Sequence, residues 1–364
     1  MSELPPLIES ASFQNLLSEL RNSSGQLNDV DAWPAEQLSG MSKAGVLGWI
    51  IPEEFGGSGI TNAELTAGYE QLSAACLAST FVLTQRNAAI QRIVQSQNSY
   101  LKEDLLPDLV TDELFATVGI SHLTTSRQHL GEPAVTAERV DAGFHLTGEI
   151  PWVTGADKAD IIVCGGTLEN NTQILVALET VNQGVEIAPA VPLMALNSSR
   201  TATVKLNHVF VSLEYLLHGP VENVMKQSGG GAGSYTTSAL AVGHAANAIR
   251  QLREEASRRP ELNEILQPFV DEHASLSADL CLAVSGNADT PPNLTAEAMR
   301  QRSNSLALRA SQACLAASKG AGFVASHPAS RLVAEAMFFL VWSCPQPVVL
   351  GNLRELACAS NYEN

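Results

Sequence analysis

The sequence predicts an α+β fold, mainly α, with helical segments on either side of a small antiparallel β domain. Three observations carry this expectation. Apolar residues recur at helical spacing through the first hundred or so residues and again after about residue 220. Between them, short alternating runs are punctuated by Gly, Asn and Asp turns at close intervals. Aromatic residues make up only 5% of the 364-residue chain, while helix-forming Ala and Leu are abundant. The expected division is residues 1–113 helical, 114–220 β and 221–364 helical.

The elements follow in chain order. Leu7 to Arg21 places Leu7, Ile8, Phe13, Leu16, Leu17 and Leu20 at helical spacing. Ala35 to Ala44 reads as a second helix, followed by the loop Ile51-Pro52-Glu53-Glu54-Phe55-Gly56-Gly57-Ser58-Gly59. Asn62 caps the next helix, which runs to about Ala78; two more cover Asn87 to Gln97 and Ser99 to Val110. Strands are expected at Ala116 to Ile120, Ala134 to Val140, Phe144 to Thr147, Asp160 to Gly165, Thr172 to Leu178, Val185 to Ala188 and Thr201 to Val211. Beyond Gly219-Pro220, helices are expected over Tyr235 to Arg258, Leu262 to Val284, Thr295 to Ala325 and Arg331 to Val341.

Charge and composition exclude several classes. The formal net charge is −17, from 21 cations against 38 acids, and only six of the cations are lysines. So acidic a surface repels nucleic acid and anionic membranes, so neither is an expected partner; an anionic small molecule needs only a local cation. The best apolar run, Ala334 to Trp342, contains Glu335 and is far shorter than the ~20 residues of a membrane span. The first ten residues carry acids where a signal peptide needs lysines. The six cysteines are scattered without CxxC pairs or histidines at zinc-ligand spacing, so no metal is expected, and reduced thiols in a cytoplasmic setting are.

Several segments, in matching order, resemble the acyl-CoA dehydrogenase family. Trp49 to Gly59 is similar to that family's G-x-x-x-P-E-x-x-G-G-x-G loop. Gly143-Phe144-His145-Leu146-Thr147-Gly148, with Pro151-Trp152-Val153-Thr154-Gly155-Ala156 and Ala159-Asp160, is similar to its G-y-x-l-x-G-x-K-x-W-I-T-x-A-x-x-A-D segment. Lys319-Gly320-Ala321-Gly322-Phe323 and Pro328-Ala329-Ser330-Arg331 resemble G-G-x-G-Y and P-x-x-R. The resemblance implies an acyl-CoA dehydrogenase-like fold with a four-helix-bundle-like C-terminal domain, and a bound FAD. It assigns Trp152 to the face of the isoalloxazine ring, Thr154 to a hydrogen bond near the flavin N5, Ser121 to the pyrimidine edge and Ser126 to a phosphate, with Gly320 and Gly322 as further cofactor contacts. An aromatic face packs on a flavin ring, and a hydroxyl donates to a nitrogen that gains electron density on reduction.

The resemblance breaks where the chemistry is expected. Its reaction removes the α-proton of an acyl thioester with a positioned carboxylate. The glutamate of the family's x-E-G-T segment is replaced here by Ser343 in Trp342-Ser343-Cys344-Pro345, and a serine hydroxyl without an activating partner is not a base near neutral pH. An alternative family position falls near Gly233-Ser234, also without an acid. Other groups considered for a relocated base are Glu335, His244 and His122. The arginine expected near R-x-F-G falls at Arg258-Arg259, without the F-G, and Ala316 stands for a glutamine. The sequence therefore leaves open an FAD-dependent oxidoreductase acting on the CH–CH group of an acyl thioester with an unusual base, a flavin-dependent monooxygenase, and a non-catalytic member of the fold. Implied partners are an acyl thioester or another small molecule, an electron-transfer flavoprotein or flavin reductase, and a second copy of the chain in a homodimer or homotetramer.

Overall fold

A computed structural model of the chain describes residues 7–29, 31–124, 132–227, 235–285 and 290–359. The N-terminal helices are α1 (Ala11–Ser23), α2 (Ala35–Lys43), α3 (Asn62–Ala75), α4 (Leu77–Gln95) and α5 (Ser99–Leu109). Strands β1 (Ala116–Gly119), β2 (Val135–Val140), β3 (Gly143–Val153), β4 (Ile161–Thr167), β5 (Gln173–Glu179), β6 (Val185–Ile187), β7 (Ala202–Ser212) and β8 (Leu216–Val221) follow, with the short helix α6 (Ser121–Thr124) between the first two. Helices return as α7 (Val224–Gln227), α8 (Tyr235–Arg258), α9 (Asn263–Val284), α10 (Ala296–Ala317), α11 (Lys319–Gly322), α12 (Pro328–Phe338) and α13 (Gln346–Leu356).

The strands form one sheet in the order β6-β7-β3-β2-β4-β5-β8, with β1 also paired to β4. The sheet is mixed, not purely antiparallel: β1 runs parallel to β4, and β2 makes a parallel bridge to it. Parallel pairing needs a long connection, and the β2–β3 hairpin supplies one between β1 and β4. One face of the sheet buries Phe144, Ile150, Ile162, Ile174 and Val204 in a core of its own. The other packs Val163, Leu175 and Ala177 against Ile90, Ile93 and Leu106 of α4 and α5. That second core fixes the sheet relative to α4, the helix that forms a wall of the site.

The helix expected from Asn87 begins ten residues earlier, at Leu77. Ser79, Thr80 and Thr84 make this stretch look unlike a helix, but each hydroxyl donates to a carbonyl one turn back, at Cys76, Cys76 and Phe81, at 2.7–3.3 Å. The cap of α3 is Thr61 rather than Asn62: its hydroxyl accepts from the Glu64 amide at 3.3 Å while the Glu64 carboxylate accepts from the Thr61 amide at 2.9 Å. The expected Thr295 to Ala325 helix stops at Ala317, and Lys319 takes a left-handed backbone with φ 55°. β8 and α13 lie where no element is expected from the sequence; Gly219-Pro220 hides the first and Pro345 and Pro347 the second.

In the helical core α8 packs against α3, α9 and α10. Gly243 permits the α3 contact, since a Cβ there would sit 2.1 Å from the Glu70 carbonyl oxygen. His244 of α8 and Glu335 of α12 meet inside this core, His244 Nδ1 3.6 Å from Glu335 Oε2, with Arg331 Nε 3.7 Å from the other carboxylate oxygen. Burial holds His244 down to about 4 and pushes Glu335 up to about 7, Arg331 opposing the latter. The signs oppose. A raised carboxylate pKa gives stability that is full below about 4.5 and lost as pH rises through 7; a depressed histidine pKa gives stability that is present above about 6.5 and lost as pH falls toward 4. Between pH 4.5 and 6.5 the two slopes largely cancel. In Glu335→Gln the histidine slope is unopposed, so stability is expected to fall by about 3 kcal/mol between pH 6.5 and 4 relative to the wild type. Melting temperature against pH for the two proteins checks this, and parallel curves would refute it.

Candidate active site

Between the sheet and the helices lies a cavity of about 630 Å³, within the ordinary range for a ligand site. β3 supplies the first wall. Its pairing with β7 shifts register between Ile150 and Val153, and the intervening Trp152 has φ 60°. A left-handed backbone at a bulky residue is strained and is characteristic of functional positions. The result is an indole that is 56% exposed and faces the cavity. Two other lining residues, Leu196 and Ser343, also have positive φ, at 62° and 47°.

Beside Trp152, Thr154 reaches the same cavity. Its carbonyl accepts from the Thr117 hydroxyl at 2.8 Å, and its own hydroxyl lies 3.4 Å from Thr201 Oγ1, which lies 2.9 Å from Ser199 Oγ. These three hydroxyls form a short relay ending at the cavity. Ser121 opens α6 at the end of β1 and donates to the Pro151 carbonyl at 2.9 Å, linking the first turn of α6 to the strand that carries Trp152.

The opposite wall is aromatic. Phe338 and Trp342 stack at 5.0 Å and 13°, and Phe81 of α4 meets both edge-on at 4.9 and 5.0 Å. Arg300, buried on α10, donates to the carbonyls of Phe339 and Trp342 at 3.3 and 2.8 Å, and its guanidinium sits 5.7 Å from the Trp342 ring. It thereby pins the turn that presents Ser343. Tyr69 is buried and accepts from Asn87 Nδ2 at 2.6 Å; burial drives its phenol far above the ordinary range, so it stays protonated.

Of the residues singled out from sequence, the structure brings Ser121, Trp152, Thr154 and Ser343 to one cavity. Ser126 lies outside the described residues, as do Gly233 and Ser234. Gly320 and Gly322 are on α11 and do not line the cavity. A Cβ at Gly322 would crowd Ser318 Cβ at 2.7 Å, so that glycine serves helix packing, whereas a Cβ at Gly320 would meet nothing. His122 is buried with Nε2 2.9 Å from the Gly165 carbonyl, and His244 and Glu335 sit in the helical core; none of the three lines the cavity. Arg259 bonds Glu255 at 2.5 Å and the Ala317 carbonyl, and Arg258 pairs with the same glutamate at 3.6 Å. The aromatic wall, Tyr69 and Arg92 carry no signal in the sequence, because each is brought to the cavity only by packing between separate elements.

Among the described residues, no Asp, Glu, His, Lys or Cys lines the cavity. Residues 125–131 and 228–234, outside the described residues, contain no Asp or Glu, and the first includes His129.

Comparison with known proteins adds the following. Residues 16–113 match the family model described as acyl-CoA dehydrogenase, N-terminal domain. A probable acyl-CoA dehydrogenase of Bacillus subtilis (strain 168) is 28% identical over 182 residues, covering 50% of this chain and 30% of the relative. The chain spans 23–47% of the length of the first three curated relatives it matches. Butyryl-CoA dehydrogenase from Megasphaera elsdenii superposes with a TM-score of 0.80 at 16% identity, covering 96% of this chain and 98% of that one. A prolyl acyl carrier protein oxidase superposes with a TM-score of 0.79 at 14% identity, covering 95% and 99%.

Proposed function

The chain belongs to the acyl-CoA dehydrogenase family, and on that premise we propose that it is a flavin-dependent oxidoreductase whose cavity works without a protein carboxylate. Members of the family are FAD-dependent. The ring end of that cofactor fits the residues present. Trp152 offers a large aromatic side chain, more than half exposed among the described residues, held on strained backbone beside three hydroxyl-bearing residues.

Trp152 would pack on the isoalloxazine ring, Thr154 would donate its relay-linked hydroxyl to the ring edge, and Ser121 would flank the opposite edge. When bound, the flavin supplies two-electron redox chemistry. The chain's own part is to orient the ring, to enclose it against Phe81, Phe338 and Trp342, and to exclude water from the apolar side.

One observation carries the reaction class: among the described residues, the cavity wall holds no carboxylate, histidine, lysine or cysteine to take an α-proton near neutral pH. Tyr69 is protonated, Arg92 is a cation, and Ser343 has no recorded base beside it. Abstraction from an acyl thioester followed by α,β-desaturation is therefore the reading least supported. Oxygen-dependent oxidation of a small molecule or a carrier-bound acyl group, with electrons delivered by a flavin reductase, needs no such base and is the reading we adopt. The test is oxygen uptake by the FAD-reconstituted protein supplied with NADH and a flavin reductase. Uptake that rises on adding an acyl substrate and yields an oxidised product supports the reading. Substrate-independent uptake alone, with no product, refutes it.

A further inference from the structure

Among the described residues three arginines are deeply buried, and they differ in what they hold. Arg86 ties down loop carbonyls at Leu47, Leu109 and Thr111, and Arg300 those at Phe339 and Trp342. Arg92, on the last turn of α4, is 7% exposed and lines the cavity. Its recorded hydrogen bond goes to Ala88 of its own helix, from Nη1 at 2.6 Å, and its buried Nε has no partner. No carboxylate is paired with it among the described residues, and burial is what bears on its ionisation, lowering it to about 10 and leaving it charged. A guanidinium has five N–H donors in a planar fork matched to two oxygens of a carboxylate or phosphate. An unpaired buried cation is costly to the fold unless something compensates it. Here it is the one permanent charge among the described lining residues, in a chain whose net charge is −17.

We propose that Arg92 is the oxyanion anchor of the cavity, receiving the carboxylate or phosphate oxygens of the molecule that lies beside Trp152. Only the identity of that molecule rests on the flavin reading. Phosphate oxygens would come from the cofactor, and a carboxylate from the second ligand. Gln91 lines the same cavity one residue before Arg92, and its side-chain amide N–H can add a donor to an oxyanion held there.

The test compares wild type with Arg92→Met and Arg92→Lys. In flavin-free protein, millimolar inorganic phosphate or glutarate is expected to raise the melting temperature of the wild type, to raise that of the lysine variant less, and to leave that of the methionine variant unchanged. Without added anion, the methionine variant is expected to melt at or above the wild-type temperature, because it removes an uncompensated charge. In reconstituted protein, loss of the preference for FAD over riboflavin by about tenfold places the anchor on the cofactor's phosphates. An undiminished FAD affinity with about tenfold weaker binding of glutaryl-CoA, butyryl-CoA being unaffected, places it on a substrate carboxylate. A methionine variant that melts well below wild type yet keeps every anion response would overturn the proposal and make Arg92 a structural residue. Should wild type bind no flavin, the flavin reading fails, and the phosphate and glutarate measurements still decide the role of Arg92.

Discussion

Replacing Ser343 by glutamate is expected to create acyl-CoA-dependent reduction of the bound flavin where the wild type has none. Ser343 lines the cavity on a turn that Arg300 holds in place through two carbonyls, so a longer side chain there projects from a fixed base. Val341, Trp342 and Phe338 line the same cavity, and an apolar setting raises a carboxylate's pKa toward neutrality, where proton abstraction is most effective. A positioned general base contributes roughly 10²–10⁴-fold. The gain is therefore expected to be at least about a hundredfold in the rate of anaerobic flavin bleaching by a saturated acyl-CoA. Ser343→Gln, similar in size but without a base, is the control and is expected to remain silent. Equal rates in the two variants would show that the geometry of the turn, rather than the missing carboxylate, prevents the reaction.

The second large effect is expected at Trp152. The indole is more than half exposed and sits on strained backbone, so Trp152→Ala is expected to cost the fold little. Stacking of a ring system on an aromatic face is worth about 0.5–1.5 kcal/mol beyond the apolar area it buries. FAD affinity is expected to fall roughly tenfold or more while the melting temperature of the flavin-free protein stays within a degree or two. Fluorescence titration with FAD measures the first and calorimetry the second. Unchanged affinity would remove Trp152 from the cofactor site.

Much of this arrangement is legible in the sequence, and the illegible parts have identifiable causes. The run Pro151-Trp152-Val153-Thr154-Gly155-Ala156 can be read because its residue types are constrained locally. Gly155 takes φ 62° with no room for a Cβ beside Trp33, and the bulge at Trp152 follows from the strand pairing. Ser343 can be read because it follows a helix that opens on Pro328 and precedes Pro345. Arg92 cannot be read, because an arginine near the end of a helix ordinarily complements the helix dipole in solvent. Its burial depends on β1 packing over α4, a contact between segments that about 20 residues separate in the chain. Hydroxyls that bond back to their own helix disguise the first half of α4. His244 and Glu335, read individually as groups able to act as a base, are 91 residues apart and come together only when α8 and α12 pack. The parallel pairing of β1 with β4 is likewise a property of the connection between strands and not of either strand's own pattern.

The central claim is a flavin-binding cavity with no carboxylate base among its described lining residues. Its most direct test is the visible spectrum of FAD-reconstituted wild-type protein titrated anaerobically with butyryl- and octanoyl-CoA. The account predicts bound flavin whose absorbance shifts but does not bleach. Full bleaching of the flavin by either saturated thioester would contradict it, because a base not found on the cavity wall would then be at work.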